Sequence, residues 1–280
     1  MSTVADTLKL AARTLAAHSD SPQLDAEVLL STVLGIARAA LIVRRGEPVS
    51  VELLHTYQGL IERRAHGVPV AYLTGRREFW SLPLKVTPAV LVPRHETELL
   101  IELALTLIPK GEQRSVLDLG TGSGAIALAI ASERPFARVT GVDVSPAALD
   151  VARDNARALA LPNVAWRLGS WFDAVPGERF AAIVANPPYV AAGDPALAAL
   201  MAEPELALVG GSAGLDALGT IIDGAPPHLQ RGGWLVLEHG STQHGKVASM
   251  LERRGFGRVE THEDLSGRPR VTLGNFQPSH

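Results

Sequence analysis

The sequence predicts an α/β protein with a mostly parallel sheet and a small all-α region in front of it. Three observations favour this fold class. From residue 115 onward, short apolar runs alternate with helical segments, which is the pattern of parallel strands joined by helices. A glycine-rich turn directly follows the first of these runs. Residues 3–66 instead carry apolar side chains at helical spacing.

Length and composition bound the possible functions. The chain has 280 residues, enough for one large or two modest domains, with 46% hydrophobic and 20% charged residues. A formal net charge of −3 gives no basic field that would attract nucleic acid, so we expect no direct nucleic-acid binding. The absence of cysteine excludes disulfides, thiolate metal sites and cysteine nucleophiles.

The sequence carries no sign of a membrane or metal association. Residues 1–9 are polar and acidic where a signal peptide would be apolar, and no apolar run reaches membrane-spanning length. We therefore expect a cytoplasmic monomer with no membrane partner. The histidines lack metal-ligand spacing, so no metal site is expected.

Residues 1–75 are predicted to form a helical domain. A first amphipathic helix runs to about Leu15, and Ser21 with Pro22 is expected to cap and open a second helix that ends at Gly35. Ser50 is expected to cap a further helix that ends at Gly67. Such a domain is most simply a substrate-recognition module, and the alternative is a domain that only stabilises its neighbour.

Residues 76–92 are predicted to form a β-hairpin linker, because prolines alternate there with short apolar runs. The larger domain, residues 93–280, then begins with a helix over residues 99–108. Glu96 and Glu98 in its first turn are expected to interact favourably with the helix dipole. Arg94 is a weaker candidate to face a cleft.

A strand at residues 115–119 leads into Gly120-Thr121-Gly122-Ser123-Gly124, here called the glycine loop, and then into an alanine-rich helix. Glycines allow a tight turn against a ligand, and the helix start offers free N–H groups. The next strand ends at Asp143, where a carboxylate can accept hydrogen bonds from both hydroxyls of a ribose. The pattern predicts a nucleoside cofactor. Both NAD and S-adenosylmethionine fit at this point.

Trp171 follows a third predicted strand, residues 163–168, at the position where a ring could stack on an adenine. A half-buried core tryptophan is an equally good interpretation.

A further strand, residues 180–184, ends at Asn186-Pro187-Pro188-Tyr189, here called the amide loop. Its two prolines cannot continue a strand, and Asn186 is pushed into extended backbone. The loop therefore offers carbonyl oxygens, one amide and one ring to a planar group that carries N–H donors. A plain strand-ending turn is the alternative.

The remaining chain is predicted to complete the sheet. We expect a helix at 215–229 broken near Pro226, a strand at 232–238, a helix at 244–254, and closing strands at 258–261 and 270–274. Residues 191–211 are expected to be irregular and to form part of a substrate cleft. For His239, a structural hydrogen bond is favoured over a role as a general base.

Together these motifs resemble the PrmC (HemK) family of glutamine methyltransferases, which act on bacterial peptide-chain release factors. The resemblance covers almost the whole chain. It rests on residues 24–30, 67–75, 93–98, 118–124, 171–172, 186–189, 203–204, 238–240 and 270–274. Two departures stand out: His95 replaces a usual proline, and Leu200-Met201-Ala202 replaces a stretch that usually carries an arginine and an aromatic residue.

The resemblance implies a class I S-adenosylmethionine-dependent methyltransferase, with a Rossmann-like, mostly parallel seven-stranded sheet whose last strand is reversed. It implies methyl transfer from S-adenosylmethionine to the glutamine amide nitrogen of the GGQ motif in class I peptide chain release factors, which tunes translation termination. The implied cofactor contacts are Gly120, Thr121, Gly122, Ser123, Gly124, Asp143, Trp171 and Asn186. The implied substrate contacts are Asn186, Pro187, Pro188 and Tyr189, of which Asn186, Pro187 and Tyr189 are implied to be catalytic.

In this mechanism Asn186 and the Pro187 carbonyl would each accept one amide N–H, and Tyr189 would pack against the amide plane. No strong general base is needed, because an alkylated amide nitrogen loses its proton readily. Four alternatives remain open: an adenine-amino (N6) methyltransferase of nucleic acid, a glutamine methyltransferase of a ribosomal protein, an NAD-dependent oxidoreductase, and a non-catalytic binding protein.

Overall fold

The computed structural model describes residues 2–277 and divides into two compact units. One unit comprises the chain up to Arg76 together with Ala199–Ala202. The other comprises Arg77–Ala198 and the chain from Glu203 onward. Among the described residues, no helix has both the length and the apolar character needed to cross a membrane.

The first unit is helical, as predicted. Its helices are α1 (Val4–Leu15), α2 (Pro22–Leu34), α3 (Ala40–Val43), α4 (Val51–Ala65) and α5 (Val70–Thr74). Ser50 caps α4 by accepting from the Leu53 N–H. The predicted cap at Ser21 is wrong, because its hydroxyl forms no bond to the start of α2 and instead donates to Asp25 at 3.4 Å. A core that includes Leu15, Leu29 and the fully buried Tyr57 holds these helices together.

The predicted hairpin is present as β1 (Arg76–Phe79) and β2 (Leu82–Lys85). Its two turn residues, Trp80 and Ser81, have φ values of 52° and 58°. Two consecutive left-handed residues match the right-handed twist of the strands that they join. This turn has no glycine or asparagine, so its conformation is set by its surroundings rather than by local preference.

The second unit is built on a seven-stranded sheet. Its strands are β3 (Ser115–Leu119), β4 (Arg138–Asp143), β5 (Val164–Leu168), β6 (Phe180–Ala185), β7 (Leu229–Glu238), β8 (Phe256–Glu263) and β9 (Pro269–Phe276). Its helices are α6 (Glu98–Leu107), α7 (Ala125–Glu133), α8 (Pro146–Ala158), α9 (Asp216–Gly224) and α10 (His244–Arg253). The strand order is β5-β4-β3-β6-β7-β9-β8.

Only β9 runs against its neighbours, since it pairs antiparallel with both β7 and β8 while the other pairs are parallel. The predicted class I sheet with a reversed last strand is therefore confirmed. Three strands are longer than expected: β7 begins at Leu229, before the Gly232-Gly233 pair, and β8 and β9 extend beyond the predicted 258–261 and 270–274 at both ends. Phe180 of β6 pairs with Leu229 of β7, and Ala182 pairs with Trp234. The register therefore shifts between these two pairs, which accommodates the extra residues at the start of β7.

The register places the two predicted loops side by side. Leu119 pairs with Val142 on one side and with Ala185 on the other. The glycine loop, Asp143 and the amide loop therefore leave three adjacent strands at the same edge of the sheet. Strand order reverses direction at β3, and in open parallel sheets such a point is where ligands bind.

Candidate active site

The glycine loop turns sharply because all three of its glycines adopt left-handed backbone, with φ values of 71°, 56° and 82°. The N–H groups of Gly120 and Thr121 both donate to the Val142 carbonyl at 2.9 Å, which holds the loop against β4. A Cβ on Gly124 would lie 2.8 Å from the Trp166 ring, so the helix that follows packs too closely for a larger residue.

Below the loop, Asp118 is fully buried. Its Oδ2 accepts from the Thr121 hydroxyl at 2.6 Å and from the Ala127 N–H at 3.2 Å. Burial raises the pKa of this carboxyl to about 7. Thr121 and Ser123 are buried as well, and neither of these two predicted cofactor contacts lines the cavity described below.

Asp143 lies at the end of β4 and joins the loop to α8. Its Oδ2 accepts from the Gly122 N–H at 2.8 Å, and its Oδ1 accepts from the Ser145 N–H at 2.9 Å. Ser145 caps α8 by accepting from the Ala148 N–H, which leaves Asp143 free of that task as predicted. Each carboxylate oxygen has a second lone pair, so Asp143 can still accept from two further donors.

A cavity of about 330 Å³ opens between these elements. Its lining is mainly apolar and comes from the segment after the hairpin, the ends of β4 and β6, and the irregular stretch before α9. The lining residues are Ala89, Val90, Leu91, Gly120, Gly122, Val142, Asp143, Val144, Ser145, Ala148, Gly169, Ser170, Trp171, Asn186, Pro188, Pro204, Leu206, Ala207 and Val209.

Trp171 is half-buried, lines this cavity and also packs against a core cluster of the sheet. A Cβ on Gly120 would lie 3.5 Å from its ring, so the indole lies directly beside the glycine loop. The sequence allowed either a half-buried core tryptophan or a ring placed to stack on an adenine. The observed position is compatible with both, since the ring packs partly against the core and partly forms the cavity wall.

In the amide loop, Asn186 and Pro188 line the cavity, whereas Pro187 is buried and Tyr189 lies outside the lining. The Asn186 Nδ2 donates to the Thr97 hydroxyl at 3.1 Å. Its Oδ1 forms no hydrogen bond with any residue in the described range 2–277. This oxygen is therefore available as an acceptor for a ligand.

Tyr189 is anchored away from the cavity. Its hydroxyl donates to Glu238 Oε1 at 3.2 Å, and its carbonyl accepts from Gln243 Nε2 at 2.9 Å. Burial, with the nearby Glu238 carboxyl, raises the pKa of Tyr189 well above its ordinary value. Glu238 is itself only 1% exposed, and burial raises its pKa to about 7.

His239 is fully buried next to Glu238 and does not line the cavity. Its Nδ1 lies 3.0 Å from the Gly240 carbonyl, which can only accept, and its Nε2 lies 2.7 Å from the Thr272 hydroxyl. Burial lowers the pKa of His239 and so favours the neutral form of the imidazole. The predicted structural hydrogen bonds are present.

Arg94 does not face the cavity. It forms an ion pair with the buried carboxylate of Glu203, which also accepts from the Val92 N–H at 3.0 Å. This contact fastens the segment after the hairpin to the stretch that supplies Pro204, Leu206 and Val209 to the cavity wall.

The irregular stretch predicted at residues 191–211 does contribute to the cavity wall, through Pro204, Leu206, Ala207 and Val209. The sequence did not indicate the roles of Thr97 and Glu238 or the wall formed by residues 89–91. Thr97 lies between Glu96 and Glu98 in a segment that resembles an ordinary helix start, and Glu238 resembles a polar residue at the end of a strand. Their contacts with the amide loop span 89 residues in one case and 49 in the other, and no local pattern encodes them. Within residues 2–277, no group of three or more His, Asp or Glu could hold a metal ion.

Comparison with known proteins identifies the family. Residues 6–75 match the family described as PrmC N-terminal domain, and residues 96–211 match the methyltransferase small domain. The release factor glutamine methyltransferase of Xylella fastidiosa (strain Temecula1) is 50% identical over 90% of this chain and 92% of its own length. That of Salmonella typhimurium is 47% identical over 93% of this chain and 94% of its own length. The chain belongs to the release factor glutamine methyltransferase family.

A solved structure supports the fold of the family's larger unit. The 16S rRNA N2 G1207 methyltransferase of T. thermophilus, in complex with AdoMet and guanosine, aligns with a TM-score of 0.56 and 23% identity. The alignment covers 72% of this chain and 50% of that one. It confirms the class I methyltransferase architecture.

Proposed function

We propose that this chain transfers the methyl group of S-adenosylmethionine to the side-chain amide nitrogen of the glutamine in the GGQ motif of class I peptide chain release factors. Relatives that share about half of its residues over nine-tenths of its length carry the name release factor glutamine methyltransferase. The N-terminal helices and the methyltransferase unit both match the family.

One geometric observation carries the proposal. A single cavity is lined by Gly120 and Gly122 of the glycine loop, by Asp143, and by Asn186, whose side-chain oxygen has no hydrogen-bond partner among residues 2–277. A nucleoside cofactor held by the glycine loop and Asp143 would therefore have its reactive end beside an acceptor suited to an amide N–H. Such alignment is a proximity effect, which can lower the activation free energy by several kcal/mol.

The residues fit S-adenosylmethionine, which supplies an electrophilic methyl group on a sulfonium. Asp143 keeps acceptor capacity for both ribose hydroxyls, and the backbone at Gly120 and Gly122 is open to the cavity. Trp171 offers a ring face beside the same loop. Thr121, Ser123 and Gly124 do not line the cavity, and their role would be to fix the shape of the glycine loop.

We assign the chemistry to the amide loop. Asn186 Oδ1 accepts one N–H of the substrate amide and the Pro187 carbonyl accepts the other, which aims the nitrogen lone pair at the methyl carbon. Bound S-adenosylmethionine would supply the methyl group, and the amide nitrogen, once methylated, would lose one proton to water. Acceptors placed in advance stabilise the positive charge that develops on nitrogen. Pro188 and Tyr189 hold the loop in shape.

The helical domain, residues 1–75, is proposed to recognise the folded release factor. It exposes apolar side chains on α3, where Ile42 and Val43 are 68% and 88% exposed. Replacing both with serine should raise the KM for a folded release factor, with an unchanged KM for a short GGQ peptide. An equal effect on both substrates would leave these helices with a structural role only.

The direct test incubates the protein with labelled S-adenosylmethionine and a purified class I release factor, followed by mass-spectrometric mapping of the methyl group. We expect one methyl group on the GGQ glutamine and none after Gln→Asn replacement. Transfer only to a ribosomal protein or to adenine in nucleic acid would replace the proposed substrate. No transfer together with tight NAD binding would overturn the reaction class.

A further inference from the structure

The amide loop can align a substrate only if its backbone is fixed, because the Asn186 side chain and the Pro187 carbonyl belong to one short segment. Its two prolines make that segment stiff, since each ring locks φ at about −65°. A rotation imposed at Tyr189 is therefore transmitted towards Asn186 instead of being absorbed between them. The groups that hold Tyr189 thus decide how the whole loop is presented.

A glycine-rich segment, residues 208–214, covers the back of the amide loop. A Cβ on Gly210 would lie 2.3 Å from the Pro188 carbonyl oxygen, and a Cβ on Gly214 would lie 2.2 Å from that of Tyr189. The residue after the loop also forms two backbone hydrogen bonds of 2.9 Å with this segment. The two backbones therefore meet at a distance that only glycine permits.

Gln243, directly before α10, joins the two backbones. Its Nε2 donates to the Tyr189 carbonyl at 2.9 Å and to the Gly214 carbonyl at 3.1 Å, with a longer contact to the Ala213 carbonyl at 3.4 Å. Its Oε1 accepts from the Gly240 N–H at 2.8 Å. These partners all require the same orientation of the side-chain amide, because carbonyls can only accept and a backbone N–H can only donate.

We propose that Gln243 is a positioning residue for methyl transfer: it acts through the Tyr189 carbonyl to fix the amide loop in the conformation that presents its acceptors to the substrate. Gln243 does not line the cavity, so its influence on the reaction is exerted through the loop. The Tyr189 hydroxyl is held separately by Glu238. The rate effects described below rest on the proposed function, whereas the effect on Asn186 in the free protein does not.

Gln243→Glu is the sharpest variant, because it keeps the shape of the side chain and the acceptor for Gly240. A carboxylate has no hydrogen to donate, so it would repel the two carbonyl oxygens that it faces. Single-turnover methyl transfer at saturating cofactor and release factor should slow at least about tenfold, the scale of losing one or two hydrogen bonds. Affinity for S-adenosylhomocysteine, measured by calorimetry, should stay within about twofold, because the change removes an interaction that serves the transfer step.

Gln230→Glu is the matched control. Gln230 is also half-buried, and its Nε2 donates to the Ser115 hydroxyl at 3.1 Å and to the Arg179 carbonyl at 3.3 Å. It lies at the start of β7, at the opposite edge of the sheet from the amide loop. Its replacement should cost stability but leave the transfer rate within about twofold of the original. If Gln243→Glu is no slower than this control, or if its rate loss is matched by an equal loss of cofactor affinity, the inference is wrong.

A second pair of variants tests the close approach of the two backbones. Gly214→Ala places a Cβ against the Tyr189 carbonyl, whereas a Cβ on Gly193 has no neighbour within 4 Å. Both positions are left-handed, with φ values of 69° and 83°, so both substitutions introduce backbone strain. Gly214→Ala should slow transfer at least about tenfold and Gly193→Ala by no more than about twofold. Equal rates contradict the inference, and the two glutamine variants decide it if Gly214→Ala does not fold.

A measurement on the free protein separates positioning from general structural support. The chain has four asparagines, so isotope labelling of their side-chain nitrogens gives four NH2 groups in an NMR spectrum. The group that is missing in Asn186→Asp is that of Asn186. Its signals should move in Gln243→Glu, because its Nδ2 bond to Thr97 changes when the loop shifts, while the other three groups stay in place. Gln230→Glu should leave the Asn186 signals unchanged.

The spectra and the rates keep the two proposals distinguishable. Unchanged Asn186 signals in Gln243→Glu overturn the inference even if methylation of the release factor is confirmed. Movement of all four NH2 groups also overturns it, since that is the signature of a general structural loss. Absent methylation by the original protein overturns the proposed function, and the spectra still decide whether Gln243 positions the amide loop.

Discussion

The glycine loop and the amide loop leave adjacent strands at the same edge of the sheet, but their polar groups find partners at different distances along the chain. In the glycine loop, Thr121 bonds to Asp118 three residues away, and Gly122 bonds to Asp143 within the same strand–helix–strand unit. In the amide loop, Asn186 bonds to Thr97 across 89 residues and Tyr189 to Glu238 across 49.

The two loops therefore depend on different parts of the fold. The polar groups of the glycine loop find their partners within one strand–helix–strand unit, although distant segments also line the cavity beside it. A loop whose acceptor is oriented by distant residues needs the complete sheet, including the end of β7 and the start of α6. We therefore expect changes in the amide loop and its partners to alter chemistry while cofactor binding survives, and changes in the glycine loop to do the reverse.

The largest expected effect is on turnover in Asn186→Ala. Removing the acceptor should lower the single-turnover rate at least about 100-fold, the scale of deleting one preorganised polar group. Calorimetry with S-adenosylhomocysteine should show affinity within a few-fold of the original. Asn186→Asp, which keeps an acceptor, should be no more damaged than Asn186→Ala and should also bind cofactor. A near-normal rate in Asn186→Ala would remove the amide loop from the mechanism.

Asp143→Ala should show the opposite pattern. Loss of a charged acceptor should weaken cofactor binding by about 1–3 kcal/mol, measured by calorimetry, with a smaller change in turnover at saturating cofactor. Asp150→Ala is the matched control, because Asp150 lies exposed on the following helix, where its side chain pairs with Arg153. Equal affinities for the two variants would argue against ribose recognition by Asp143.

Stability should depend on pH through Glu238. Its pKa rises from an ordinary 4.5 to about 7 on folding, so the folded chain binds the proton more tightly than the unfolded chain. This contribution is fully present below the ordinary pKa and is lost as pH rises towards 7. Relative to Glu238→Gln, the original protein should lose about 2 kcal/mol of unfolding free energy between pH 5 and 7.

Denaturant titrations at several pH values measure this difference. Asp118 has a similarly raised pKa, but it is present in both proteins and its contribution cancels. Exposed Glu252 provides the control: Glu252→Gln should follow the pH dependence of the original protein. Parallel curves for the original protein and Glu238→Gln would mean that the Glu238 carboxyl titrates normally in the folded state.

The smallest effect concerns Gly122→Ala compared with Gly177→Ala. Both glycines have positive φ values, 56° and 72°, and neither has a neighbour closer than 4.0 Å to an added Cβ. Each substitution should therefore cost about 1–2 kcal/mol in unfolding free energy through backbone strain alone. Only Gly122→Ala should also weaken cofactor binding. If both variants bind cofactor equally well, close approach of a ligand to Gly122 is excluded.

Much of the fold was available from the sequence, because its signals are local. The helical first unit, the hairpin, the alternation of strands and helices and the class I sheet are all confirmed by the structure. Ser50 and Ser145 cap their helices as expected, since capping involves residues only three positions apart. Ser21 does not cap α2, because its hydroxyl donates to the side chain of Asp25 only four residues away, so a local pattern can offer a serine more than one partner.

The sequence by itself determined which residues could serve as a cofactor loop, a ribose acceptor and an amide receptor, because glycine conformations, proline constraints and strand ends are properties of short segments. The tertiary structure decided which of their atoms face the cavity. It turned Thr121 and Ser123 inward, drew Tyr189 to Glu238, and left the Oδ1 of Asn186 free by pairing its Nδ2 with Thr97. The direction of a hydrogen bond depends on the donor or acceptor at its far end, and in the amide loop that partner lies tens of residues away.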